Sequence, residues 1–272
     1  MVHQSRGVAP RGRRRGIIAT AAAARVSRFR NMLSWWVAAL VLAGAFGSLG
    51  AWQLGRADEK HALLAHAGQV LDARAPVPLS AASDPARRGR LDWSAGRGRF
   101  ADTGPFLLDN QRHDGRVGVR AYRLFLPEGA GPLLVDLGWL PFGPERAVPD
   151  VPKPEGALQV RGLLAPPPSP GLRLGEGIAP AGDAWLLTRV EADAIARAAG
   201  LDTTPAPRVL RLDPALPIGH PRDLEVLPNT LPPERHVGYA VQWFGLAATV
   251  LVVALVLTLR TRRKLRTRDR TP

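Results

Sequence analysis

Two uncharged apolar runs, Leu33–Trp52 and Ala240–Leu259, stand near the two ends of this 272-residue chain and constrain its architecture more than anything between them. Each is 20 residues long. At about 1.5 Å per residue a helix of that length reaches roughly 30 Å, the thickness of a bilayer's hydrocarbon core. The pattern predicts transmembrane helices over 32–54 and 236–259, enclosing one domain at 55–235. A competing reading makes Ala43-Gly44-Ala45 the end of a secretory signal, since small residues mark such cleavage sites. The apolar character, however, continues through Gly50.

Charge supplies an orientation. The formal net charge is +14, and the two tails carry all of it. Residues 1–31 hold eight arginines and no acid; residues 260–272 hold seven basic residues against one Asp. Between them, 22 basic residues face 22 acidic ones. A nucleic-acid-binding domain carries its excess on the folded part, so the expected partner is the lipid bilayer and not nucleic acid. Basic flanks stay cytoplasmic. The expectation is a multi-pass protein of the bacterial inner (plasma) membrane, with both basic tails cytoplasmic and the central domain periplasmic. Gly16–Ala24 is too short to span and reads as an unstructured leader. Arg13–Arg15 lacks the close apolar core of a twin-arginine export signal.

The central domain reads as mixed α+β, mainly antiparallel β. Short apolar or alternating runs at Phe106–Asn110, Val117–Leu126, Leu133–Leu140, Leu158–Leu164, Ala184–Thr188 and Arg208–Leu212 predict strands, separated by turn signals such as His113-Asp114-Gly115. The first three suggest an antiparallel meander. A helix is expected at Val190–Ala199, ended by Gly200. Pro141–Pro154 and Ala165–Pro170 read as proline-rich spacers, Gly96-Arg97-Gly98-Arg99 as a basic loop. Within the first apolar run Ala39, Ala43, Gly47 and Ala51 form a small-residue stripe that suits close helix contact.

Catalytic patterns are scarce, and the chain is not expected to be an enzyme. It has no cysteine and no metalloprotease, nucleophile-elbow, P-loop or dinucleotide motif. Nothing pairs Asp109, Asp114 or Asp136 into acid and base, so a hydrolase lacks its machinery. Soft Cu(I) wants thiolate or thioether ligands, and the only methionines are Met1 and Met32. That leaves imidazole: His61 and His66 are five residues apart, while His236 lies four residues before the second apolar run. On a helix starting at Pro232-Pro233, His236, Tyr239, Ala240 and Trp243 share one face. An imidazole above an aromatic wall at a membrane edge could hold a flat apolar cofactor by its metal. The competing reading is an interfacial histidine in a Tyr/Trp anchor belt. Trp52 fits such a belt at the end of the first run, and Arg56 and Lys60 follow one turn apart.

Two of these stretches, Gly50-Ala51-Trp52-Gln53-Leu54-Gly55-Arg56 with Lys60, and His236 with Tyr239-Ala240-Val241-Gln242-Trp243-Phe244, resemble the surfeit locus protein one family, which includes the Shy-type assembly factors of cytochrome c oxidase. Leu134–Pro141 is similar to the family's strand ending in Gly-Trp, with Leu137 where the family usually has Arg, so no role of that arginine carries over. Leu108-Asp109-Asn110-Gln111 is also family-like. The resemblance spans about 33–259 and is loosest over 160–230. It implies an inner-membrane factor that helps mature subunit I of a haem–copper oxidase, together with other assembly factors, and that holds or delivers haem a. His236 matches the family's proposed iron ligand. Trp52 and Trp243, with Tyr239 beside them, become candidate walls, and Arg56 or Arg235 candidate propionate partners. The alternative is a membrane-anchored envelope scaffold or binding module that docks partners without a cofactor.

Overall fold

A computed structural model describes residues 12–169, 175–227 and 230–268. Residues 1–11 and 269–272 of the basic tails, and Pro170 of the second spacer, lie outside the described residues. The chain divides into two compact units, Met1–His61 with Leu231–Pro272, and Ala62–Thr230.

The first unit contains most of helix α1 (Gly12–Ala73) and all of helix α3 (Pro233–Arg268). Both contain stretches long and apolar enough to cross a membrane. Leu33, Val37, Leu40 and Val41 on α1, and Val241, Val252, Leu255 and Leu257 on α3, are exposed. Outward apolar side chains over a full bilayer thickness are what a lipid-facing surface requires. Helix α1 starts at Gly12, so Gly16–Ala24 is helical and not the unstructured leader the sequence suggested. The small-residue stripe is only partly realised: Ala43 is buried, but Ala51 is exposed. A strict four-residue spacing overshoots the 3.6-residue turn and drifts roughly 120° in three steps.

Among the described residues the second unit contains a nine-stranded sheet with strands β1 (Val77–Pro78), β2 (Asp92–Phe100), β3 (Phe106–His113), β4 (Arg116–Pro127), β5 (Leu133–Pro141), β6 (Leu158–Ala165), β7 (Ile178–Ala181), β8 (Ala184–Leu187) and β9 (Val209–Leu212). Its order is β1-β2-β6-β9-β5-β4-β3-β8-β7, and an added β2–β4 pairing closes five strands into a ring. The expected β3–β4–β5 meander is present. The sheet is mixed, however, because β1–β2, β3–β8 and β5–β9 run parallel. Parallel pairing joins strands distant in sequence, and short-range turn signals carry no information about it.

The basic loop expected at Gly96–Arg99 is instead the middle of β2. At Gly98 the strand pairs with both β6 and β4. A Cβ there would lie 2.3 Å from the Leu126 carbonyl oxygen and 2.6 Å from the Phe125 ring. Glycine is the residue that permits this approach, and it also erases the alternation by which a strand is read. Strands β1 and β7 were invisible for a related reason: Pro78 and Pro180 confine them to edges.

Alternation sets the core. Val119, Ala121 and Phe125 of β4, Leu133, Val135 and Leu137 of β5, Val160 and Leu164 of β6, and Leu210 and Leu212 of β9 form one apolar cluster. Leu137, standing where the resemblance would place an arginine, is fully buried among them. A second cluster joins Phe106, Leu108, Tyr122, Leu124 and Leu134 to Ile195 of helix α2 (Ala192–Ala199). That helix ends at Gly200, whose φ of 63° supplies the left-handed cap. The last turns of α1 dock on the sheet through Leu63, Ala67, Val70 and Leu71 against Leu91, Leu163 and Ala165.

Charges are buried in pairs. Arg120 donates to Asp136 at 2.8 Å, and the Gly138 N–H donates to the other Asp136 oxygen at 3.0 Å. Burial, and then the Asp136 carboxylate, push the neighbouring Tyr122 phenol well above its usual range. Burial disfavours the Asp213 charge too, but the Arg161 hydrogen bond at 2.7 Å, the Ala215 N–H and the nearby Arg74 hold its carboxyl below the usual range. Arg208, wholly enclosed, donates to Asp92 at 2.8 Å, to the Leu164 and Arg90 carbonyls at 3.0 Å, and to the Ala81 carbonyl at 3.3 Å. Asp136 is therefore half of a buried structural ion pair.

Candidate functional site at the paired helix ends

Helix α3 begins at Pro233, where a missing N–H costs nothing because the first turn has no acceptor for it. Glu234 follows in that first turn, favourably placed against the helix dipole. From there the less exposed positions are His236, Ala240, Trp243, Ala247, Val250, Ala254 and Thr258, spaced by three or four. On α1 the corresponding stripe is Trp36, Ala39, Ala43, Phe46, Gly50, Gln53 and Ala57. The two stripes meet antiparallel. Trp36 Nε1 donates to Thr258 Oγ1 at 3.0 Å, Phe46 stacks on Trp243 with ring centroids 5.7 Å apart, and Gly50 lets the Phe244 ring approach. A Cβ at Gly50 would fall 2.8 Å from that ring. Beyond them Lys60 Nζ donates to the Leu231 carbonyl, tying α1 to the segment that enters α3.

At this end of the pair sits His236, only 7% exposed. Its Nδ1 lies 2.7 Å from Gln53 Oε1. Its Nε2 is enclosed and has no hydrogen-bond partner among the described residues. A buried polar atom left unpaired normally costs about 1–3 kcal/mol, so an orphaned imidazole nitrogen at this place is a specific observation. It also passes the chemical test for a haem ligand, since haem iron takes a neutral imidazole nitrogen as axial donor.

The structure treats the other candidates unequally. Trp243 shares the His236 face and packs on Phe46. Tyr239 is 41% exposed and Trp52 is 56% exposed, both outside the inter-helix stripe. Arg56 is exposed and bonds Glu59 at 2.5 Å, one turn along its own helix; Arg235 is exposed as well. His61 lies 3.9 Å from Glu234. No group of three or more His, Asp or Glu side chains suited to a metal ion occurs among the described residues.

Gln53 is the partner that sequence reasoning missed, although it lay inside a quoted motif. The available signal was physical. Gln53 is an uncharged polar side chain at the end of an apolar span, and such groups turn inward and find a partner.

No curated protein sequence matched the chain. A family model described as SURF1 family matches residues 40–248, most of the chain, and runs from the first apolar helix through the sheet unit into the second. That range contains Gln53, His236, Trp243 and the whole five-strand ring. The chain therefore belongs to the SURF1 family, which is known for cytochrome c oxidase assembly and is an assembly-factor family rather than an enzyme family.

Proposed function

We propose that this chain matures subunit I of a cytochrome c oxidase by holding haem a as cargo at His236, for transfer to the oxidase with other assembly factors. The single observation that carries the reading is the enclosed, unpartnered Nε2 of His236, on the helix face that two turns further on carries Trp243, stacked on Phe46. When bound, haem a supplies the iron that an imidazole ligates. His236 would provide that bond and Trp243 an apolar wall. Arg56 and Arg235, on the exposed side, would be available to propionates. Loading requires the packing around Nε2 to open, because that atom is closed to solvent.

The same closure favours a second reading, a membrane-anchored scaffold that docks oxidase subunits without a cofactor. A deletion strain tests the function itself. Loss of the chain should reduce the haem a absorbance band and assembled oxidase several-fold, with both restored by the full-length protein. Unchanged oxidase in the deletion strain contradicts either reading.

The basic residues outside both spans support an orientation with cytoplasmic termini and a periplasmic sheet unit in a bacterial inner membrane. A periplasm-dependent reporter fused after Pro154 should be active, and one fused after Pro272 inactive. The reverse pattern would overturn this topology.

A further inference from the structure

We propose that Gln53 is the positioning residue for His236: its amide oxygen fixes the imidazole as the Nδ1–H tautomer and leaves the Nε2 lone pair to an iron ligand. This rests on the haem reading above and names the device that makes it work. A neutral imidazole has one donor nitrogen and one acceptor nitrogen. The group facing Nδ1 at 2.7 Å is a carbonyl oxygen, which can only accept. Nδ1 therefore carries the proton. Nε2 is then the basic nitrogen, and it is the one enclosed without a donor. Second, the bond joins α1 to α3, so the ring plane is held across the helix pair and does not spin about its own side-chain torsions. Third, the neighbours hold the two helices in register. Gly50 admits Phe244 at close range, Phe46 stacks on Trp243, and Lys60 holds the Leu231 carbonyl. A shift of one residue along either helix would break the Gln53–His236 bond. Ligating histidines generally donate their other N–H to an oxygen, which orients the ring and raises its basicity.

The test uses the full-length protein in detergent, with haemin as probe and ¹⁵N-labelled histidine. At about pH 8 an ordinary imidazole is neutral, and the haem-free parent should show His236 protonated at Nδ1. Gln53→Leu keeps the bulk and removes the acceptor. It should mix the tautomers and weaken haemin binding by about 10–100-fold. Gln53→Glu keeps an acceptor at the same reach and makes it anionic. It should preserve binding and shift the reduction potential of the haemin complex negative, because the imidazole becomes more basic. A purely structural role for Gln53 would leave the His236 tautomer of Gln53→Leu as it is in the parent. Parent-like affinity and potential in both variants, with binding lost in His236→Ala, would overturn the role of Gln53 and leave the haem reading standing. An Nε2-protonated ring in the haem-free parent would overturn it as well. Parent-like haemin binding by His236→Ala would remove the haem reading, and this inference with it.

Discussion

Replacing Arg208 by Met should destabilise the sheet unit by about 3–5 kcal/mol, the cost of breaking a buried ion pair by removing one partner. The substitution keeps the length and the apolar stem but deletes donors to four oxygens: Asp92 and the carbonyls of Leu164, Arg90 and Ala81. These belong to β2, β6 and the segments before β2, so a single side chain joins parts of the sheet far apart in sequence. Asp92 retains Arg87 at 2.9 Å, which places the loss within that range and not above it. Domains of this size have total stabilities of about 5–15 kcal/mol, so the loss is a large fraction of the whole. The expected readout is a melting temperature lowered by on the order of 10 °C, followed in the full-length protein by protease resistance of the sheet unit. Arg208→Lys should recover only part of the loss, since one ammonium cannot reproduce the planar fork of donors. A parent-like melting temperature for Arg208→Met would show that these contacts contribute little.

The importance of Arg208 was not legible in the sequence, and the reason is general to this fold. Local patterns marked the strands that alternate or run apolar, β3, β4, β5, β6, β8 and β9, within a residue or three at most ends. The helix before Gly200 was legible because capping is a local property. What brings Arg208 to Asp92 is the pairing of β2 with β6 and of β6 with β9, and pairing is a long-range choice that no short window encodes. Strand β2 was missed because its glycines serve close approach at a strand crossing, so the residues that fix its position remove its pattern. The membrane helices were legible because bilayer thickness imposes a length that can be counted. At the candidate site, the histidine was legible as an oddity at the edge of an apolar run. Its partner was not, since Gln53 and His236 are 183 positions apart and meet only when the two helices pack. Tyr239 was drawn onto the His236 face by its three-residue spacing. Of the four residues placed on that face the helix pair buries Ala240, a small residue beside which the helices approach closely, and leaves Tyr239 exposed.

His236→Ala carries the largest functional effect expected from a single side chain. It removes the enclosed, unpartnered imidazole nitrogen, along with the hydrogen bond to Gln53. It leaves the membrane segments in place: the apolar run that drives insertion begins at Ala240, and the Trp36–Thr258 and Phe46–Trp243 contacts lie further along the helices. The variant should therefore accumulate normally and fail to hold haem. His236→Met should retain part of the binding with a changed potential, because a thioether also ligates haem iron. In the scaffold reading neither substitution changes whatever haem co-purifies.

The most direct measurement compares Soret absorbance per mole of purified protein for the parent, His236→Ala and the control His220→Ala, all made in a strain that synthesises haem a. His220 lies in the sheet unit, outside both helix-end motifs. A haem band is expected in the parent and in His220→Ala, and loss of most of it in His236→Ala at matched protein level. Equal haem content in the parent and His236→Ala would contradict it.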